Sequence, residues 1–309
     1  MQWLVIYLKG MAMGAADVVP GVSGGTIAFI TGIYERLIDA IRAFDLDFLR
    51  LLMRGEWRQC WQRVDGGFLL ALLAGIGTSI VMLAGLITWL LANEPVLVWA
   101  FFFGLIVASS IYIVRKIKQW NWIVGLLLLA GAAFAVAIGM ARPAEVEVTS
   151  AYLFLCGSLA ICAMILPGIS GSFILVLLGA YSVVLQAVHQ LDLPLLMLFM
   201  AGAAVGILVF SHVLGWLLHH YHDPMLAALT GFLIGSLYLI WPWKEVLRYY
   251  TSSSGMQKPL EQVNVLPQRF AEVSGQDPQV LACILLALGG IAVVLGLEKL
   301  SGLSGRQAG

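Results

Sequence analysis

Apolar runs close to the ~20 residues that cross a bilayer as a helix recur from one end of this 309-residue chain to the other. Hydrophobic residues make up 61% of it and charged residues 11%, against about 25% charged in a soluble domain. No stretch is left that would build a sizeable soluble core, so the chain reads as an all-α polytopic membrane protein, a single integral membrane domain over 1–309. The expected helices are 2–18, 22–44, 67–92, 95–114, 120–141, 149–165, 171–190, 194–218, 223–243 and 280–298. Lys9 interrupts the first run, which has no basic leader, so signal-peptide cleavage is not expected.

Two polar stretches interrupt the pattern. In 45–65, Arg50, Arg54, Arg58 and Arg63 alternate with Leu46, Leu49, Met53, Trp57 and Trp61, which predicts an amphipathic helix lying on the membrane surface. Residues 244–279 hold Pro259, Pro267, Pro278 and a Thr-Ser-Ser-Ser-Gly run, and read as an extramembrane loop with little regular structure.

An internal duplication organises the rest. Residues 20–41, PGVSGGTIAFITGIYERLIDAI, align without gaps on 167–188, PGISGSFILVLLGAYSVVLQAV, with eight of 22 positions identical, among them Pro20/Pro167, Gly21/Gly168, Ser23/Ser170, Gly24/Gly171, Gly32/Gly179 and Tyr34/Tyr181. Further matches, such as Gly75/Gly202, Trp89/Trp216 and Gly104/Gly231, follow at an offset shorter by about the length of 45–65. Each copy reads as a helix pair broken at Pro-Gly plus two spanning helices, and the single helix 120–141 between them inverts the second copy. The expected plan is therefore two inverted-topology repeats, 1–118 and 149–243, with a linking helix in 119–148, an extracytoplasmic loop 244–279 and a C-terminal helix 280–298. Charge agrees with it. Lys9, Arg36, Arg42, Arg50, Arg54, Arg58, Arg63, Arg115, Lys116, Lys118, Lys299 and Arg306 fall on one side, assigned to the cytoplasm with both termini, and Arg142, Lys244, Arg248, Lys258 and Arg269 on the other.

Val22 to Ile33 spans only about 18 Å as a helix before Glu35 and Arg36 appear, so the first broken pair is expected to be re-entrant rather than to bury those charges. For the second pair, which is uncharged, the same expectation rests on symmetry.

The breaks carry the chemistry. A Pro-Gly-x-Ser-Gly interruption exposes backbone N–H groups at the start of the following half-helix, and such a terminus attracts anions. Candidate binding residues are Ser23, Gly24, Gly25 and Thr26 in one copy and Ser170, Gly171 and Ser172 in the other, with Pro20, Gly21, Pro167 and Gly168 forming the breaks. The competing structural role is close helix packing through small residues. Asp17 has Met164 as its counterpart, and either handles a proton or cation or caps the next half-helix. Arg36 offers a bidentate fork for phosphate, with Glu35 orienting it, unless both are ordinary interfacial charges.

Other features read as structural. His219, His220 and His222 sit at an interface rather than on a metal, and His212 is expected to bond a neighbouring helix. Gly10/Gly14, Gly202/Gly206 and Gly231/Gly235 mark packing faces. Cys60, Cys156, Cys162 and Cys283 lack CxxC spacing and are expected as structural thiols. Formal charge is zero, which gives no footprint for nucleic acid, and nucleotide-binding, zinc-protease and hydrolase motifs are missing, so neither an enzyme nor a cofactor or metal is expected.

The stretches GMAMGAADVVPGVSGGTIAFITGIYERLIDAI (10–41) and ILPGISGSFILVLLGAYSVVL (165–185) closely resemble the bacterial polyprenyl-phosphate (undecaprenyl phosphate) transporter family PopT, over nearly the whole chain. The resemblance implies flipping of undecaprenyl phosphate, a carrier lipid of cell-envelope and peptidoglycan biogenesis, from the outer to the cytoplasmic leaflet of the bacterial inner membrane. It also implies that the matched motif residues, Asp17, Glu35, Arg36 and both breaks, belong to the site. The partners would be that lipid, the bilayer and a coupling ion, proton or sodium. The alternative is an ion or small-anion transporter using the same tips.

Overall fold

The computed structural model describes residues 2–19, 22–144, 146, 148–251 and 257–306. The chain begins with α1 (Gln2–Asp17), α2 (Gly24–Ile30) and α3 (Tyr34–Arg42), continues through α4 (Leu46–Met53) and α5 (Trp57–Arg63), and then runs through α6 (Gly66–Asn93), α7 (Pro95–Val114) and α8 (Trp122–Met140). The second half repeats the opening as α9 (Ser150–Ile165), α10 (Gly171–Leu177) and α11 (Tyr181–Gln190), followed by α12 (Leu193–His220) and α13 (His222–Ser236). Strands β1 (Lys244–Thr251) and β2 (Gln257–Asn264), α14 (Pro267–Ser274) and α15 (Val280–Arg306) close the chain. Among the described residues four helices, α6, α7, α8 and α12, are long and apolar enough to cross a membrane, and the chain is a multi-span membrane protein.

Packing partners recur in matched sets. Helix α1 lies along α6 and α9 along α12; α7 lies along α15 and α13 along α8. Small residues set these distances, because a Cβ at Gly10, Gly14 or Gly75 would strike the facing backbone across α1 and α6, and one at Gly157, Gly202 or Gly206 would do the same across α9 and α12. Gly231 and Gly235 meet Leu128 and Ala132 of α8 in the same way, so the three glycine spacings are packing faces as expected. Many apolar side chains on the outer surfaces of the long helices stay exposed, Leu70, Val81, Leu129, Met197 and Leu285 among them, as lipid rather than water requires.

Neither 22–44 nor 171–190 is a single helix. In both copies the half-helix after the break lasts seven residues and closes in the same cap: Gly32 and Gly179 take φ of 72° and 68°. Gly32 N–H donates to Phe29 and Ile33 N–H to Ala28, matched by Gly179 to Val176 and Ala180 to Leu175. Helices α10 and α11 consequently meet at 110°. The identity Gly32/Gly179 thus has a backbone cause, since the left-handed conformation favours glycine.

Four other expectations are corrected. Segment 45–65 is two short helices, parted at Gly55 with φ 72°, although Leu46, Met53, Trp57 and Trp61 remain exposed as a lipid-facing side would. Asp45 caps α4 by accepting from Phe48 N–H at 2.9 Å and pairs with Arg63, whose hydrogen bond holds its carboxyl below the usual range. The described part of 244–279 holds regular structure: β1 and β2 pair antiparallel, so the described fold is helical with one two-stranded sheet, and α14 docks Phe270 among Ala100, Trp243 and Cys283. The helix expected over 223–243 stops at Ser236 ahead of Pro242. The final helix extends past 298 to Arg306.

Candidate functional site

The two breaks meet. Ser23 is the N-cap of α2: its Oγ accepts from Gly25 N–H at 3.1 Å and donates to the Met164 carbonyl oxygen, at the end of α9, at 2.9 Å. In the opposite direction Gly168 N–H, inside the second break, donates to Thr26 Oγ1 at 2.9 Å. A Cβ at Gly25 would lie 2.5 Å from the Ile165 carbonyl oxygen, so the absence of a side chain there permits the crossing. Ser23 and Thr26 are almost fully buried at this contact, and Ser170 nearly so. Gly168 has φ 87°, with Ser236 and Phe232 of α13 just beyond it. Pro20 and Gly21 lie outside the described residues.

The tips differ electrostatically. At the first, Asp17 Oδ1 accepts from Gly24 N–H at 2.6 Å, and a Cβ at Gly24 would lie within 3 Å of the carboxylate. Asp17 thus makes the contact of a cap, and its carboxyl group already stands at the start of α2. The counterpart, Met164, has no acid to offer. At the second tip Ser170 makes no capping bond and shares a 2.8 Å hydroxyl contact with Ser172. Among the described residues no acceptor meets the N–H groups of Gly171, Ser172 and Phe173.

Glu35 and Arg36 stand apart from the tips, beyond the Gly32 turn, and do not pair with each other. Arg36 Nε donates to Asp65 Oδ2 at 2.6 Å while its guanidinium lies 4.4 Å above the Phe68 ring. Glu35 Oε1 lies 3.2 Å from His222 Nε2, so it joins α3 to the start of α13 rather than orienting Arg36. Lys9 Nζ donates to the Thr31 carbonyl at 2.7 Å, closing the end of α2. His212 bonds the Leu208 carbonyl of its own helix at 2.8 Å, not a neighbouring helix. The Met164 carbonyl, Asp65 and the pairing of His222 with Glu35 escaped the sequence reading, because the first is main chain and the two side-chain partners lie 29 and 187 residues away in the chain. The alignment of Met164 with Asp17 was the one available signal.

A helical membrane protein whose two matched interruptions bond each other inside its apolar mass has the architecture of a transporter. A family described as VCA0040-like, undecaprenyl phosphate translocase-like, matches residues 13–258, which include both breaks. A polyprenyl-phosphate transporter of Vibrio cholerae is 49% identical over 299 residues, covering 97% of each chain. One of Staphylococcus aureus is 32% identical over 260 residues, 78% of this chain and 87% of the relative. No solved structure gives a significant match. The chain belongs to the undecaprenyl phosphate translocase-like family, as the motif resemblance implied.

Proposed function

We propose that this protein carries undecaprenyl phosphate from the outer to the cytoplasmic leaflet of the bacterial inner membrane, binding the phosphate where the two breaks meet while the polyprenyl chain stays in lipid. The single observation that carries the reading is the reciprocal contact of the breaks, Ser23 to Met164 and Gly168 to Thr26, beside a second tip whose N–H groups are unclaimed. Free N–H donors at a helix start suit a phosphate, and Ser170 and Ser172 add two hydroxyls. The first tip is charged already by Asp17, so taking up a proton there, or pairing with sodium, lowers the repulsion felt by the lipid phosphate. That makes Asp17 the coupling group.

The two halves act as inverted repeats about this contact, and rocking of one against the other alternates access. Polar contacts support the sidedness. Residues assigned to the cytoplasm bond one another, Lys118 and Gln119 N–H to Asp223, and Arg36 to Asp65. At the outward end Gln279 meets Glu94, and Ala144 N–H meets the Leu177 carbonyl.

The test uses proteoliposomes holding labelled undecaprenyl phosphate, with a phosphatase added outside to report the exposed fraction. The parent exposes lipid from the inner leaflet; replacing Ser170 and Ser172 together by Ala slows this about ten-fold, the loss of one or two charge-assisted hydrogen bonds. Parental rates in the double variant contradict the site. No exchange by the parent contradicts the function.

A further inference from the structure

Helices α7 and α13 leave an open groove of about 350 Å³ between them. Val107, Ile111 and Val114 form a stripe on one wall, Ile234 and Leu237 the other, and Arg115 closes one end. The one hydroxyl in its lining, Ser110, is turned away to the Ile106 carbonyl at 2.9 Å. Among the described residues Arg115 is exposed and its side chain pairs with no carboxylate. At the other wall Ile234 and Leu237 flank Ser236, which lies against Gly168 of the second break.

An apolar groove facing lipid has no use for a soluble anion, and a lone guanidinium at its end gives no advantage to an uncharged lipid. Together they fit an amphiphile with one anionic head. We infer that this groove is the cytoplasmic-side seat of the transported lipid: the phosphate rests on Arg115 and the isoprene units next to it lie along Val107–Val114. The inference rests on the function proposed above and names where the lipid arrives once its phosphate has left the breaks. Val107 to Arg115 spans about 12 Å of helix, so only the head-proximal units are held and the remaining chain extends into the bilayer. The guanidinium fork takes two phosphate oxygens at once, a geometry that a lysine does not reproduce.

The test is photolabelling of the full-length protein in phosphatidylethanolamine–phosphatidylglycerol nanodiscs, using a polyprenyl phosphate with a diazirine on an isoprene unit near the phosphate. Labelled peptides covering 105–117 and 232–239 are expected, competed by unlabelled undecaprenyl phosphate. An otherwise identical polyprenol probe without phosphate should label them about five-fold less, and Arg115→Gln should reduce the phosphate probe's labelling as much, with Arg115→Lys in between. Uncompeted labelling spread evenly over lipid-facing positions such as Leu126 and Leu129 overturns the groove as a site. Competed labelling confined to the break peptides overturns it too, while leaving the transport reading intact. Absence of any competed labelling together with absence of translocation overturns both.

Discussion

Asp17→Asn removes one charge and almost no volume, and it separates the two roles that meet at this residue. As a cap, Asn still accepts from Gly24 N–H, now 2.6 Å from the carboxylate, and the exchange of a charged for a neutral acceptor costs about 1 kcal/mol. Asp17→Ala strands the buried Gly24 N–H and costs about 1–3 kcal/mol. Binding behaves differently. If the phosphate binds at the proposed site about 5 Å from the carboxylate, two unit charges at an effective dielectric of about 20 repel by about 3 kcal/mol. If about half survives relaxation, Asp17→Asn binds undecaprenyl phosphate roughly ten-fold more tightly than the parent at pH 8. As the pH falls and Asp17 takes up its proton, the parent converges on the variant. The lipid phosphate titrates as well, so the diagnostic is the ratio of the two affinities, measured by titrating lipid into protein-containing nanodiscs and following tryptophan fluorescence. A ratio near one at every pH refutes the idea that Asp17 and the lipid phosphate share one site.

Three further outcomes follow from the geometry. Gly25→Ala sets a methyl group 2.5 Å from the Ile165 carbonyl oxygen, which cannot swing aside, and should cost about 1–3 kcal/mol in reversible denaturation while reducing translocation. Arg36→Lys should keep partial transport and Arg36→Gln lose nearly all of it, read as outer-leaflet accumulation of undecaprenyl phosphate in cells relying on this protein alone, if the guanidinium, held through Nε by Asp65 and above Phe68, offers passing phosphate a two-oxygen fork that a lysine lacks. Asp45 has its carboxyl pKa depressed by Arg63, so it adds stability above its unfolded pKa of about 4, a contribution lost as pH falls through the lower folded value. Hydrogen exchange over 45–65 should be faster in Asp45→Asn than in the parent at pH 7, by less than about 1 kcal/mol of opening free energy, and indistinguishable from it well below pH 4.

The duplicated Pro-Gly-x-Ser-Gly was legible because so few residue types occupy a helix break, and the long helices were legible because lipid demands an unbroken apolar stretch. The internal caps at Gly32 and Gly179 were hidden for that same reason: apolar residues run straight through both turns, and only a left-handed glycine marks them. The β1–β2 pair escaped because its strands carry charges and a proline and owe their form to pairing with each other, not to an apolar period. Contacts across the breaks were out of reach in another way. Ser23 bonds a main-chain carbonyl 141 residues away, and a carbonyl has no letter in a sequence. The repeat alignment did point to the right place and to unequal tips, since it set Met164 opposite Asp17, but not to the bonds that join the two breaks.

The central claim is that the lipid phosphate sits where the breaks meet, and a distance measures it most directly. Solid-state NMR dipolar recoupling between the phosphorus of undecaprenyl phosphate and backbone ¹⁵N of Gly171 and Ser172, in protein reconstituted at saturating lipid, should give a separation of about 4 Å, one N–H···O contact of about 2.9 Å bent through one P–O bond. Dephasing of the Gly24 amide should be weaker in the parent than in Asp17→Asn. Phosphorus more than about 10 Å from both breaks, well beyond any hydrogen-bond contact, contradicts the account.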